Sequence, residues 1–320
     1  MSRPRLAPLA AALTVGLVAL VGCGESSGGS SGDSSGSSSA ASGPLAQVKV
    51  EGEAAKEPKV TIAPTPLKVT EEVKRVITEG EGTPLGASDL TSVHIQIVNG
   101  TDGKVATSTW TDKQTLGIDL SDQRMLPILT NQLNGAKPGA RLLLAAPAAD
   151  VFGPQGNSGL GLKAEDPAVF VVDVIKASPS LKEAEGTAVA PKPGLPTVKM
   201  NAGKPATITM PKATPPTTLV TQPLVTGKGA KVASGQTVRV AYTGALWGNG
   251  KVFDSNATGF TTAIGVGQVV PGWDKSIVGQ PVGSRLLLVV PPADGYGAQG
   301  QGEIKGTDTM VFVVDVLAAV

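Results

Sequence analysis

The chain is poor in the residues on which most catalytic and metal chemistry rests. It holds one cysteine, Cys23, and one histidine, His94, among 320 residues. A lone cysteine excludes a disulfide within the chain. A lone histidine with no second cysteine leaves no soft ligand set for a metal. No metal and no cofactor is therefore expected. The formal net charge is +1 and no long block of lysine and arginine occurs, so the electrostatic footprint of a nucleic-acid binder is missing. Glycines 265, 267, 295 and 297 lack the lysine and following helix that a phosphate loop needs. Aromatics are scarce too: three Trp, two Tyr and five Phe. From residue 237 onward lie both tyrosines, two of the tryptophans and three of the phenylalanines. That clustering points to a small apolar pocket rather than to a site built on charges.

The first residues, MSRPRLAPLAAALTVGLVALVGC, place Arg3 and Arg5 before an apolar run that ends in small residues at Cys23. This is the layout of a secretory signal. Pro8 and Gly16 interrupt the run and polar GESSGGSSGDSS follows it, which argues against a retained membrane span. Leu20-Val21-Gly22-Cys23 resembles the bacterial lipoprotein lipobox, which implies cleavage before Cys23 and lipidation of its thiol. Residues 1–22 are thus expected to be a signal peptide. Residues 23–44, rich in Ser and Gly, read as a flexible tether. The chain would be held by lipid at the outer face of the cell membrane. Its richness in Gly, Ala and Thr suits a GC-rich, Gram-positive bacterium.

Beyond the tether the sequence divides itself by repetition. GARLLLAAPAADVFGPQG (139–156) recurs as GSRLLLVVPPADGYGAQG (283–300), and AVFVVDVIKA (168–177) as MVFVVDVLAA (310–319). SVHIQIVNGTDGKV (92–105) resembles TVRVAYTGALWGNGKV (237–252). Two domains follow, 45–178 and 205–320, with a Pro/Ala/Lys-rich linker at 179–204. PTVKMNAGKPATITMP (196–211) reads either as part of that linker or as an extra pair of strands docked on the second domain.

In the second copy, Val238, Val240 and Tyr242 alternate with Arg239, Ala241 and Thr243, a strand with one inward face. Asn249-Gly250 signals a hairpin turn. Val252-Phe253 starts a strand that Asp254-Ser255-Asn256 ends or bulges, and Phe260 to Ile264 reads as a separate short strand. Pro271 to Val278 forms two helical turns with Trp273 and Ile277 on one face and Gly279 as the stop. Arg285 to Val290 is an apolar strand ended by Pro291-Pro292. Thr309 to Leu317 closes the sheet, with Phe312 and Val314 on one face and Asp315 complicating the alternation. The class is α+β: in each copy, an antiparallel sheet around one short helix.

V-x-YTG (240–244), G-x-VFDSN (250–256), VGQVVPGW (266–273), PVGSRLLLVVPPADGYG (281–297) and TMVFVVDVL (309–317), in that order, resemble the FK506-binding-protein (FKBP) type of peptidyl-prolyl cis–trans isomerase. The resemblance covers nearly all of the second domain. It implies two FKBP-like domains, each a half-barrel of antiparallel sheet wrapped around a short helix. It makes Trp273 the pocket floor, Tyr242, Phe253, Phe260 and Phe312 its walls, and Val269 and Val270 its edge. The Val269 backbone would hold extended substrate. Asp254 would hydrogen-bond within the site, Tyr296 would offer its hydroxyl to a substrate carbonyl, and the Ile304 N–H would meet another. The ligands implied are proline-containing exported or unfolded polypeptides, with FK506-like macrolides as a second class. The tip AQGQGE (298–303) is more glycine-rich than in many relatives, and the stretch from Asp254 to Phe260 is short.

The chemistry suits that equipment. Rotation about an X–Pro bond breaks no covalent bond and needs no metal or nucleophile. Its barrier, about 18–20 kcal/mol, comes from amide resonance, and a dry pocket with placed donors favours the twisted amide. The first copy lacks this equipment. Counted from the strand starts, Ile97 stands for Tyr242. VFDSN has become VATSTW, Leu129 stands for Trp273 and Phe152 for Tyr296, and only Phe170 keeps its aromatic, for Phe312. The first domain reads as a degenerate, inactive copy. A non-catalytic binding or chaperone-like lipoprotein is the alternative reading of the whole.

Overall fold

The structure is a computed structural model that describes residues 43–320. The expected signal peptide, the lipidation site Cys23 and nearly all of the tether lie outside the described residues. The first half comprises β1 (Val48–Glu51), β2 (Lys59–Ile62), β3 (Val73–Thr78), β4 (Leu90–Asn99), β5 (Val105–Ser108), β6 (Leu116–Asp119), α1 (Pro127–Leu133), β7 (Arg141–Pro147), α2 (Ala148–Phe152) and β8 (Pro167–Ser178). The second comprises β9 (Gly186–Ala188), β10 (Thr197–Asn201), β11 (Lys204–Thr209), β12 (Val220–Gly227), β13 (Thr237–Leu246), β14 (Val252–Ala263), α3 (Pro271–Ile277), β15 (Arg285–Val290) and β16 (Met310–Ala319).

Each half is an antiparallel sheet around a short helix. The first sheet runs β3-β7-β8-β4-β5, with β6 also paired to β4; the second runs β14-β13-β16-β15-β12-β9. Pro271 at the start of α3 presets the backbone of its first turn. Trp273 and Ile277, one turn apart, then face the sheet together and bury among Val240, Leu286, Leu288, Phe312 and Val314. Leu129 and Leu133 do the same in α1 against Ile95, Leu142, Leu144, Phe170 and Val172.

The second face of each sheet is covered as well. The hairpin of β1 and β2 lays Val48 and Ile62 on Leu143, Val169 and Val171. The hairpin of β10 and β11 lays Ile208 on Trp247, Leu287, Val289, Val311 and Val313. Residues 196–211 are therefore a strand pair docked on the second sheet. Burial on both faces is why β16 reads as an almost unbroken apolar run. Asp315 is buried in that run because Arg285 meets it with two hydrogen bonds of 2.6 Å and the Ala184 N–H with one of 3.0 Å. The first half repeats the device with less water: Arg141 and Asp173 are 0% and 1% exposed. Arg141 also donates to the Gly52 and Lys56 carbonyls, and Asp173 accepts from the Ala55 N–H, all in the segment joining β1 to β2.

Three expectations change. β16 does not close the sheet but lies in its middle, between β13 and β15. Val252 to Ala263 is one strand, with its register shifted where Tyr242 faces Asn256 and Val240 faces Phe260. Residues 179–204 are more than a linker: β9 adds an edge strand beside β12, and the Leu181 N–H donates to the Leu317 carbonyl. His94 lies on β4, which has neighbours on both sides. It is half-buried, stacks on Trp110 at 4.9 Å and meets Thr109 Oγ1 at 3.0 Å.

The two halves touch directly. Leu90 packs with Ala318 and Val320. Gly117 of β6 lies so close to β13 that a Cβ there would sit 2.3 Å from Thr237 Oγ1.

Candidate active site

The inner face of the second sheet opens at one end into a cavity of about 470 Å³. Trp273 and Phe312, both 4% exposed, form its base. Four edge-on ring pairs build the cup. Tyr242 and Trp273 stand 5.1 Å apart, Trp273 and Phe312 5.4 Å, Phe253 and Phe312 5.5 Å, and Tyr242 and Phe260 6.0 Å. Edge-to-face packing satisfies the ring quadrupoles and fixes each ring against its neighbour. Val269 and Val270, the two residues before α3, form one lip. Asp274 holds the loop before that lip by accepting from the Gly265 and Gly267 N–H groups at 2.6 and 2.8 Å.

The polar groups gather on one side. Tyr242 donates its hydroxyl to Asp254 Oδ2 at 2.6 Å. Burial, then that hydrogen bond, pushes the Tyr242 phenol far above the usual tyrosine range. Burial, then the Asp254 charge, raises Tyr296 in the same direction. Both phenols therefore stay protonated near neutral pH and remain donors. The Trp273 indole N–H is buried with no hydrogen-bond partner.

Nine of the ten residues expected at the site line this one cavity: Tyr242, Phe253, Asp254, Phe260, Val269, Val270, Trp273, Tyr296 and Phe312. Ile304 packs against the same core but does not line the cavity. Its N–H, expected to meet a substrate carbonyl, already donates to the Gln301 carbonyl at 2.9 Å, while its own carbonyl accepts from Gln301 at 2.8 Å. The glycines around that tip let the chain close on itself in a narrow bridge. Gln268, Pro271, Gly295 and Gln301, to which the sequence assigns no role, also line the cavity. Gln268, Pro271 and Gly295 lie inside the quoted motifs, and Gln301 lies in the glycine-rich tip just beyond them.

Strand register places the equivalents in the first half. Phe312 faces Gly244, and Tyr242 faces Val314 two residues on. Phe170 faces Ile97, so Ile97 answers Gly244 and Ile95, facing Val172, answers Tyr242. The assignment of Ile97 to that place is corrected by two residues. By the same registers Thr107 stands for Asp254, Ala106 for Phe253 and Leu116 for Phe260. Of the rings at these places Phe152 and Phe170 remain, 6.3 Å apart.

The second sheet thus carries an aromatic cup lined also by two phenols and one carboxylate. Comparison with known proteins agrees. The family model described as FKBP-type peptidyl-prolyl cis-trans isomerase matches residues 84–175 and again 228–317. The chain belongs to this family and carries two of its domains. It is 43% identical over 91 residues to FK506-binding protein 2 of Dictyostelium discoideum, spanning 27% of this chain and 68% of that protein. It is 35% identical over 116 residues to an FK506-binding protein of Streptomyces anulatus, spanning 35% of this chain and 94% of that one. The crystal structure of AtFKBP13 is similar over 31% of this chain and 90% of its own, with 32% identity and a TM-score of 0.29.

Proposed function

We propose that the second domain catalyses cis–trans isomerisation of X–Pro bonds in exported or unfolded polypeptides, and that the first domain does not. The observation that carries this reading is the chain of edge-on rings built around Trp273, with the Tyr242 and Tyr296 phenols lining the same cavity. The proline ring enters the cup and leaves water. The planar amide loses solvation it needs more than the twisted amide does, which lowers the barrier selectively. Trp273 forms the floor under the proline ring, and Tyr296 donates its hydroxyl to a substrate carbonyl beside the turning bond. Asp254 fixes Tyr242, and with it one wall. No proton changes hands. FK506-like macrolides, which present a similar ring flanked by carbonyls, fit the same cup.

The first domain lacks the cup, since aliphatic, small or hydroxyl residues occupy the places of Tyr242, Phe253, Asp254, Phe260 and Trp273. The bridge between Gln301 and Ile304 favours a second reading, binding without turnover, because it removes one donor from the rim. The leader and Cys23 support export and anchoring by lipid at the outer face of the membrane. Loss of fatty-acid labelling in Cys23→Ser would test that.

The deciding experiment is the cis-to-trans relaxation of a short X–Pro peptide with the full chain and its Asp254→Ala and Trp273→Ala variants. Acceleration by the wild type, much reduced in both variants, is expected. A folded wild type that does not accelerate relaxation overturns the catalytic reading and leaves the binding one.

A further inference from the structure

Asp119, at the end of β6 in the first domain, is buried to 3% side-chain exposure and is paired with Arg239 of the second, itself 13% exposed. One carboxylate oxygen accepts from Arg239 Nη1 at 3.0 Å and from the Ser121 N–H and hydroxyl; the other accepts from Thr261 Oγ1 at 2.8 Å. Arg239 therefore reaches out of β13 into the first domain, where Ser121 Oγ also accepts from Nη1 at 2.6 Å.

The other end of the same guanidinium turns back toward the cup. Arg239 Nη2 donates to the Thr258 carbonyl at 2.7 Å. Thr258 lies in the stretch of β14 between Asn256 and Phe260, where three residues oppose the single Ala241 and the strand bulges. Asn256 Oδ1 gathers the Thr258 and Gly259 N–H groups across that bulge. Gly259 has φ +123, and a Cβ there would lie 2.3 Å from Arg239 Nε. Only glycine lets the backbone lie this close against the guanidinium. Arg239 and Asn256 thus supply the side-chain hydrogen bonds to the bulge backbone. On either side of it stand Asp254, the acceptor for Tyr242, and Phe260, the ring that packs edge-on against Tyr242.

We propose that the Asp119–Arg239 pair makes the first domain a positioning element for the pocket of the second. Asp119 holds the guanidinium, the guanidinium holds the bulge, and the bulge sets where Asp254 and Phe260 meet Tyr242. A copy of the domain that has lost its own cup is thereby part of its neighbour's. The inference rests on the proposed isomerase reading of that pocket, since the bulge is one of its walls.

The test uses the full chain with Asp119→Ala, Arg239→Ala and Asp119→Asn, the last retaining an acceptor for Arg239. Backbone amide exchange and X–Pro peptide kinetics are read on each. In both alanine variants the amides of residues 256–261 exchange faster, while those of β16 keep their protection and show that the core is folded. In the same variants kcat/KM falls about 5- to 10-fold, mostly through KM because the wall and not the floor has moved, and Asp119→Asn recovers part of it. Wild-type kinetics in Asp119→Ala, or unchanged exchange at 256–261, overturns the inference while the isomerase reading stands. If the wild type binds a proline peptide without turning it over, the isomerase reading falls, and the dissociation constants of the same variants decide the positioning role, unchanged values overturning it. A wild type that neither binds nor turns over the peptide overturns both.

Discussion

Trp273→Leu converts the floor of the cup into the residue the first domain uses at the same place of its helix, Leu129, which is 3% exposed there. The fold therefore accommodates leucine at this position. The substitution removes two edge-on pairs, with Tyr242 at 5.1 Å and Phe312 at 5.4 Å. Each such pair contributes about 0.5–1.5 kcal/mol beyond buried area. With the space left by the smaller side chain added, the expected loss is about 2–4 kcal/mol. A domain of ordinary stability, about 5–15 kcal/mol, remains folded after that loss. The kinetic effect is larger in kind. If only about 1.4 kcal/mol of the lost contact acts on the twisted amide, kcat/KM falls about tenfold. Urea unfolding followed by circular dichroism gives the first quantity and peptide relaxation the second. A stability change below about 1 kcal/mol would refute the packing argument. Wild-type kcat/KM in a folded variant would refute the placement of the site.

Three further outcomes are expected. The chain has two tyrosines and both phenols are raised, so a spectrophotometric titration of the folded protein shows no phenolate step at the ordinary tyrosine value, and urea restores it. Because the folded-state values lie above the unfolded ones, this contribution to stability is present below the ordinary tyrosine value and is lost as pH rises through the folded ones. Asp173→Ala leaves the Arg141 guanidinium buried without its carboxylate and costs about 3–5 kcal/mol. Asp315→Ala costs less, because Arg285 is 14% exposed; equal losses by urea unfolding would contradict the burial argument. Burial lowers the His94 pKa, with the Asp173 charge opposing. Its contribution to stability is therefore present above the unfolded histidine value and is lost as pH falls through the folded one. Subtracting the pH–stability curve of His94→Gln isolates that loss, and identical curves would refute it.

Much of the site was legible because local signals and the repeat agreed. Pro271 and Gly279 bracket α3, the spacing of Trp273 and Ile277 gives its buried face, and the motifs name nine residues that meet in one cavity. What escaped was set by pairing across strands, which a single strand does not carry. Ile97 was matched to Tyr242 by counting from the strand start, whereas only the partners Val172 and Val314 show that Ile95 takes that place. The bulge at residues 257–259 looks like a break between two strands because its glycine and polar residues are turn formers. Asp315 looks out of place until Arg285 and Ala184 are brought to it by other elements. The Ile304 N–H was assigned outward because nothing in the sequence says that Gln301 would fold back to take it.

The hairpins on the outer sheet faces set where this chain can be cut. A fragment begun at residue 205 keeps most of β11 but loses its partner β10, so Leu287, Val289, Val311 and Val313 lose part of their cover. It also loses β9, and β12 then presents a bare row of backbone donors and acceptors. An apolar face beside an open strand edge is a template for self-association. A fragment begun near residue 179 keeps both covers. Each half therefore carries its own cover of two strands, and solubility of the separated halves depends on cutting before that cover rather than after it.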